Sequence, residues 1–146
     1  MHYVSKRLKD FSTSHRLGKG YPGLCKNGHG HGYHLEVTLK SERLNLYGFV
    51  MDFGEIKKLF DKWVQENWDH ATLCAADDIS LIRFLESEFQ RHYILPKEYC
   101  NTTAENMSEF LFHQFQIMLR TSGNSVELVE VKVWETDDSV ATYRES

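Results

Sequence analysis

The sequence has little of several features that would mark a specialised class of protein. Its three cysteines are an odd, widely spaced set that does not suggest a disulfide framework, so a reducing, cytoplasmic setting is expected. There are only two prolines, and no linker or repeat divides the chain. No apolar run approaches the roughly 20 residues of a membrane-spanning helix, and the first residues lack the apolar core of a signal peptide. These absences predict one domain over residues 1–146.

An excess of positive charge is also missing. The formal net charge is −4, which argues against a general nucleic-acid-binding or membrane-surface protein. Hydrophobic residues make up 41% and charged residues 26% of the chain, as is ordinary for a globular domain, and the length is sufficient to bury a core. We therefore expect neither a nucleic acid nor a membrane as partner.

The pattern of apolar residues predicts an α+β domain of order β-β-α-(α)-α-β-β. The first 17 residues and residues 33–41 are predicted to pair as antiparallel strands, with residues 126–134 and 140–143 as the final two strands. Helices are predicted from Asp52, over residues 78–92 and from Thr102, the last capped by Thr102 with Glu105. The helices would cover one face of a four-stranded antiparallel sheet, whose exposed edges favour oligomerisation.

Histidines are concentrated in the segment His29-Gly-His31. Side chains two apart in a strand point to the same face, so these two imidazoles can converge on one point. His15 lies in the first predicted strand and can come opposite them when the strands pair. Three imidazoles without a fourth protein ligand describe a catalytic metal site, which suits zinc best, although copper, nickel or iron also accept nitrogen. The alternative is three surface histidines that bind no metal.

Other reactive groups lie near these histidines or at element ends. Cys25 precedes the first of the pair by four residues, where a dication would favour its thiolate, unless it is a small buried apolar residue. Asp69 can orient His70 in a turn, or the two can be a solvated carboxylate and a helix-capping histidine. Glu105 can be a capping residue alone. Glu135 is either a solvated strand end or an anchor for a ligand with N–H donors.

Six motifs occur in a fixed order along the chain. They are Phe11-Ser-Thr-Ser-His15-Arg-Leu, Cys25-x-x-x-His29-Gly-His31, Gly48-Phe-Val-Met-Asp-Phe53, Asp69-His70-x-x-Leu73, Thr103-Ala-Glu105-Asn106 and Trp134-Glu135-Thr136. Together they resemble the family of 6-pyruvoyltetrahydropterin synthases and 6-carboxytetrahydropterin synthases, and they span residues 11–136. Trp68, Cys74 and Thr102 depart from the residues that are usual at those positions, and all three lie beside the expected site.

The resemblance implies the tunnelling fold, in which β-β-α-α-β-β subunits join their sheets into a barrel and form a homohexamer of two trimers. It implies active sites at subunit interfaces and a zinc ion bound by the residues matching His15, His29 and His31. Cys25 matches the family's catalytic cysteine, and Asp69 with His70 matches an Asp–His pair contributed by a neighbouring subunit. The residues that match the pterin pocket are Glu135, the Thr102-Thr103 backbone and Glu105.

The spacing between Cys25 and His29 distinguishes two branches of the family. Three intervening residues resemble the 6-carboxytetrahydropterin synthases of queuosine and other deazapurine biosynthesis, whereas the pyruvoyl synthases typically have a longer gap. The implied substrate is 7,8-dihydroneopterin triphosphate, and the implied products are 6-carboxy-5,6,7,8-tetrahydropterin, acetaldehyde and triphosphate. Candidates for triphosphate contacts by proximity are Arg16, Lys19 and Lys26, with solvated surface charge as the alternative.

Three other functions remain open at this point. The first is the pyruvoyl synthase reaction, a phosphate elimination from the same substrate. The second is a non-catalytic zinc- or pterin-binding protein, which would have no need of Cys25, Asp69 and His70. The third is a hydrolase that uses zinc-bound hydroxide, for which Cys25 and Glu135 would have no role.

Overall fold

The computed structural model describes residues 1–145, which form one mixed β-sheet and three α-helices. The strands are β1 (His2–Arg7), β2 (Phe11–His15), β3 (His29–Ser41), β4 (Ala71–Cys74), β5 (His92–Ile94), β6 (Glu127–Thr136) and β7 (Ser139–Arg144). The helices are α1 (Phe53–Asn67), α2 (Ile79–Ser87) and α3 (Ala104–Thr121), and a single 3₁₀ turn covers Leu24–Lys26. No helix within the described range is both long and apolar enough to cross a membrane.

Strand β3 organises the sheet. Its first residues pair with β2, its later residues pair with β1, and β6 lies along its other side. Residues 8–10 divide the predicted first strand into β1 and β2, so β1/β2, β3, β6 and β7 are the four antiparallel strands that the sequence predicts. β3 begins at His29 rather than at Tyr33 as predicted, because residues 29–33 are already paired with β2.

Two short strands extend this sheet beyond the four predicted. β4 pairs in parallel with β2, and β5 pairs in parallel with β4, which gives seven strands in the order β5-β4-β2-β3-β6-β7 with β1 against β3. The helix predicted over residues 78–92 is correspondingly shorter, since α2 ends at Ser87 and the chain turns through Phe89, whose φ is 53°, into β5. The α+β class is confirmed, and the strand count differs.

The helix starts follow the predicted capping chemistry, with one shift. Asp52 and Asp78 accept hydrogen bonds from backbone N–H groups of the first turns of α1 and α2, as expected. At α3 the prediction was wrong by one residue: Thr103 caps the helix by accepting from Asn106 N–H. Thr102 is fully buried and turns toward the sheet instead.

The hydrophobic core lies between the sheet and the helices α1 and α3. Phe60 of α1 and Phe115 of α3 are fully buried, with ring centroids 4.4 Å apart. On the sheet side, alternate residues of β3 face the helices and have no solvent exposure; they are Tyr33, Leu35, Val37 and Leu39. The predicted packing of helices on one sheet face is thus confirmed, and it fixes which face of β3 points inward.

Candidate functional site

The row of core-facing side chains on β3 continues into the predicted histidines. Because side chains alternate along a strand, His29 and His31 lie on the same face as Tyr33. In the antiparallel register of β2 with β3, His15 pairs directly with His29. The three imidazoles therefore meet where the apolar core ends, as the sequence predicted.

The three rings face one another closely. Their centroids are separated by 4.6 Å (His15–His29), 4.9 Å (His29–His31) and 5.4 Å (His15–His31). Glu135 joins them: its Oε1 lies 2.9 Å from His31 Nε2 and 3.7 Å from His15 Nε2. One ligand atom from each of the four residues lies within 4.8 Å of the others, which is a group able to hold a metal ion.

A β-bulge explains how Glu135 reaches the histidines. The register between β6 and β7 shifts between Trp134 and Thr136, so Glu135 is the extra residue of the bulge. Bulges re-aim a side chain and are frequent beside active sites. The motif pointed to Glu135 as a ligand-binding carboxylate, whereas the register shift that directs it to the histidines has no signal in the sequence.

The hydrogen bonds of the histidines indicate that a cation fits between them. His15 Nδ1 lies 2.7 Å from the carbonyl oxygen of Thr102, and His29 Nδ1 lies 2.8 Å from that of Asn27. A carbonyl only accepts, so each Nδ1 carries a proton, and in this tautomer Nε2 is the ring nitrogen that can bind a metal. These two Nε2 atoms are 3.1 Å apart. His31 Nε2 is buried and faces Glu135 Oε1 at 2.9 Å. Imidazole lone pairs directed at one point suit a divalent metal.

Thr102 positions the most buried of these ligands. The side chain of His15 is only 2% exposed, and burial lowers its pKa, although the hydrogen bond to Thr102 acts in the opposite direction. The neutral ring that results is the form that binds metal. Metal-binding histidines commonly donate their second ring N–H to a backbone carbonyl, which fixes the tautomer. The contact between His15 and Thr102 joins residues 87 positions apart. Its acceptor is a backbone atom, so no residue type in the sequence predicts it.

Asp69 and His70 form a hydrogen-bonded pair in the turn before β4. His70 Nδ1 lies 2.9 Å from Asp69 Oδ2, and the φ angle of His70 is 60°, in the left-handed region. Ser12 anchors the turn, since its N–H donates to Asp69 Oδ1 at 3.0 Å and its carbonyl accepts from His70 N–H at 2.7 Å. Burial raises the pKa of Asp69, but the hydrogen bonds from Ser12 and His70 outweigh it and hold that pKa below its usual value. Asp69 is therefore ionised and orients the imidazole.

The His70 side chain is 81% exposed and borders the same shallow depression as His31. This depression, of about 490 Å³, runs between β2, β3 and β4. Through His70, the pair borders this depression together with Ser14, Gly30 and Gly32, which alternate with the clustered histidines along β2 and β3 and so lie on the other face of the sheet. Its action in the site of a neighbouring subunit stays a prediction.

The remaining predicted residues lie in the loop before β3 and at the start of α3. Cys25 is half-buried in the 3₁₀ turn, and its carbonyl accepts from Leu17 N–H at 2.8 Å, which ties the loop to the end of β2. Thr103 caps α3, and Glu105 is exposed in the first turn of that helix. The catalytic role of Cys25 and the pterin contacts of Thr102, Thr103 and Glu105 stay predictions.

Two of the cations considered for triphosphate binding are engaged with carboxylates. Arg16 donates to both oxygens of Asp78, at 2.8 and 2.6 Å, and Lys19 forms an ion pair with Asp77. The third candidate, Lys26, is exposed in the 3₁₀ turn. Arg16 therefore braces the start of α2 in the described structure, and triphosphate contacts by these residues stay predictions.

Known proteins are similar to this chain over almost its whole length. Residues 3–146 match the family model described as 6-pyruvoyl tetrahydropterin synthase. A 6-carboxy-5,6,7,8-tetrahydropterin synthase of Aquifex aeolicus is 34% identical over 149 residues, covering 99% of this chain and 91% of that protein. A 6-pyruvoyl tetrahydrobiopterin synthase of Dictyostelium discoideum is 30% identical over 150 residues, covering 97% and 95%. The crystal structure of an uncharacterised protein from Wolinella succinogenes superimposes with a TM-score of 0.82 at 19% identity, covering 99% and 98% of the two chains.

A sheet carrying a histidine cluster at the end of its core face, with helices on that face, defines a tunnelling-fold protein with a candidate metal centre. The chain belongs to the 6-pyruvoyl tetrahydropterin synthase family.

Proposed function

We propose that this chain is a zinc-dependent 6-carboxy-5,6,7,8-tetrahydropterin synthase. It converts 7,8-dihydroneopterin triphosphate to 6-carboxy-5,6,7,8-tetrahydropterin, acetaldehyde and triphosphate, as a step toward queuosine or another deazapurine. The observation that carries the proposal is the convergence of the Nε2 atoms of His15, His29 and His31 on one point. The full-length similarity to the Aquifex aeolicus enzyme supports the choice of reaction.

The three histidines are the residues that hold the zinc ion. A bound zinc ion supplies Lewis-acid stabilisation of negative charge on the side-chain oxygens of the substrate. The protein contributes by fixing the tautomer: the carbonyls of Thr102 and Asn27 accept the Nδ1–H of His15 and His29, which leaves each Nε2 directed at the metal site.

Proton transfer falls to Cys25 and His70. Cys25, as its thiolate, and His70 act on opposite sides of the substrate side chain and move protons to and from its carbon and oxygen atoms. Asp69 keeps His70 in one tautomer, with Nδ1–H directed at the carboxylate, so that Nε2 is free to exchange a proton with the substrate. The ionised state of Asp69, maintained by Ser12, also stabilises the imidazolium form.

Recognition of the pterin ring falls to Glu135 and the start of α3. A carboxylate accepts two parallel N–H donors, which matches the N–H groups on one edge of a pterin. Thr102, Thr103 and Glu105 line the rest of the pocket. Catalytic assembly as a homohexamer, with Asp69 and His70 serving a neighbouring subunit, belongs to this proposal.

The test is turnover of 7,8-dihydroneopterin triphosphate by the zinc-loaded protein. Acetaldehyde and 6-carboxytetrahydropterin should appear in equal amounts. Triphosphate release without acetaldehyde would instead indicate the pyruvoyl synthase reaction, which the similarity to the Dictyostelium discoideum enzyme keeps as the second candidate.

The matched controls are two cysteine variants. Cys25→Ala should lose turnover, while Cys100→Ala, at an exposed position outside the proposed site, should keep it. Equal activity in both variants would show that the thiol of Cys25 takes no part. Zinc binding with no turnover of this substrate would favour a non-catalytic binding protein.

A further inference from the structure

The loop between β2 and β3 carries Cys25, yet core packing does not hold it in place. None of residues 16–28 is buried, and the regular structure among them is the single 3₁₀ turn at Leu24–Lys26. Loops without buried side chains open easily unless polar contacts restrain them. A group that takes part in catalysis must be held to within about 0.5 Å of its productive position. The position of Cys25 therefore depends on polar contacts between this loop and the rest of the chain.

An ion pair joins the loop to the start of α2. Arg16 Nε donates to Asp78 Oδ2 at 2.8 Å, and Arg16 Nη2 donates to Asp78 Oδ1 at 2.6 Å. Two hydrogen bonds between a guanidinium and a carboxylate fix the orientation of the pair as well as its distance. Nη2 also donates to Ser80 Oγ at 3.0 Å, and Lys19 forms an ion pair with Asp77. We call the contact between Arg16 and Asp78 the clamp.

The helix that holds the clamp is anchored in the protein interior. Ile82 and Leu85 of α2 are buried and form a cluster with the buried Cys74 of β4. Asp78 is the N-cap residue of the same helix. The carboxylate that receives Arg16 therefore belongs to a fixed element, whereas the loop on the other side of the clamp has no such anchor.

A short path leads from the clamp to the backbone of the cysteine. Leu17 follows Arg16, and its N–H donates to the carbonyl oxygen of Cys25 at 2.8 Å. The N–H of Gly18 donates to Asn101 Oδ1 at 3.2 Å, which ties the next residue to the segment before α3. Fixing Arg16 thus fixes the stretch of backbone to which Cys25 is hydrogen-bonded.

We propose that the clamp positions Cys25 for proton transfer. Arg16 and Asp78 act through the loop, so they are positioning residues that do not touch the substrate. This inference rests on the proposed function, because it takes Cys25 as the thiol that moves a proton. It also gives Arg16 a task other than contact with the triphosphate, since a phosphate group would have to displace a carboxylate that lies 2.6 Å from the guanidinium.

The first test compares Arg16→Gln with Asp78→Ser in turnover of 7,8-dihydroneopterin triphosphate. Serine is too short for the two-fold contact but still caps a helix, so α2 keeps its start. Because a misplacement of about 1 Å can cost about 100-fold in rate, we expect kcat to fall roughly 10- to 100-fold in both variants, with KM unchanged. The double variant should lose no more than either single variant, since both remove the same contact.

The two variants distinguish positioning of Cys25 from direct contact with the substrate. If Arg16 bound the triphosphate, Arg16→Gln would raise KM, whereas Asp78→Ser would free the guanidinium and leave kcat intact. That pattern, or a normal kcat in both variants, overturns the proposal. Lys57→Gln is the matched control, because Lys57 forms an ion pair of similar exposure with Asp61 on α1, and it should keep the wild-type kcat.

The second test needs no turnover. Modification of Cys25 by iodoacetamide is followed in the metal-free protein by mass spectrometry of the peptide that contains it. Loss of one contact of ordinary strength should raise the population with an open loop, and with it the modification rate, roughly 5- to 30-fold in both clamp variants. Lys57→Gln should react at the wild-type rate.

A wild-type modification rate in clamp variants that fold normally by circular dichroism overturns the proposal. If Asp78→Ser does not fold, Arg16→Gln, which leaves the helix cap intact, provides both measurements. If the wild-type protein does not turn over this substrate, the proposed function fails, and the modification rates alone decide whether the clamp holds Cys25.

Discussion

Zinc binding should raise the thermal stability of this protein by an amount that follows from its ligands. The three imidazoles come from β2 and β3, which are separated in sequence by the loop between residues 15 and 29 and are paired in the folded protein. An unfolded chain does not hold the three nitrogens together, so zinc binds the folded state preferentially. With free zinc at 1,000 times its dissociation constant, the gain is about 4.1 kcal/mol.

This free energy converts into a shift of the melting temperature. The entropy of unfolding is about 2.1 cal/mol/K per residue, or about 0.3 kcal/mol/K for a chain of 146 residues. A gain of about 4 kcal/mol therefore corresponds to an increase of about 13 °C. His29→Ala removes one of three nitrogen ligands and should abolish most of this increase at the same zinc concentration.

The assay is thermal unfolding followed by circular dichroism, with stripped and zinc-loaded protein at equal protein concentration. His2→Ala is the control, because His2 is an exposed histidine at the start of β1 and outside the cluster. It should retain the full shift. A shift of the same size in His29→Ala, or none in the wild type, refutes the assignment of these histidines as the metal ligands.

Three further outcomes are expected. Tyr33→Phe should raise the unfolding free energy by about 1 kcal/mol, because the Tyr33 hydroxyl is buried without a hydrogen-bond partner; denaturant titration measures this, and a loss of stability contradicts it. Asp69→Asn should reduce turnover about 100-fold or more with an unchanged circular dichroism spectrum, because the charge that orients His70 is gone; near-normal turnover contradicts it. Arg16→Gln should lower the free energy of unfolding by about 1–2 kcal/mol at pH 7. The hydrogen bonds from Arg16 hold the pKa of Asp78 below the usual 3.8, although burial opposes them. The stabilisation is therefore lost as pH falls below 3.8. Denaturant titrations should show wild type and variant differing at pH 7 and converging at a pH below 3.8.

The elements that local chemistry specifies could be predicted from the sequence. Asp52 and Asp78 begin helices because a carboxylate next to free N–H groups is a local arrangement. β4 and β5 could not be predicted in this way. They have four and three residues, and their pairing is set by distant partners: β4 pairs with β2, almost 60 positions away, and β5 pairs with β4. The shift of the α3 cap from Thr102 to Thr103 has a similar origin, since a distant histidine engages Thr102.

The candidate site also has features that the local sequence predicts and features that depend on distant contacts. The spacing of His29 and His31 and the pairing of their strand with His15 follow from strand periodicity, and the structure brings the three together. The position of Glu135 depends on a bulge, which is a property of two strands rather than of one segment. The hydrogen bonds of the histidines to backbone carbonyls could not be predicted from the sequence either, because every residue has a carbonyl and no residue type marks the acceptor.

The clustered histidines continue the line of buried side chains on β3, and this affects the rate at which a bound metal can exchange. His31 is followed on the same face by Tyr33 and Leu35, which are fully buried, and Phe11 of β2 stacks on Tyr33 at 5.1 Å. Moving the backbone of His15 away from His29 and His31 requires β2 and β3 to part, which disturbs this packing. Metal exchange should then be governed by a sub-global opening of the β2–β3 pair, and amide hydrogen exchange in these strands would report the same slow step.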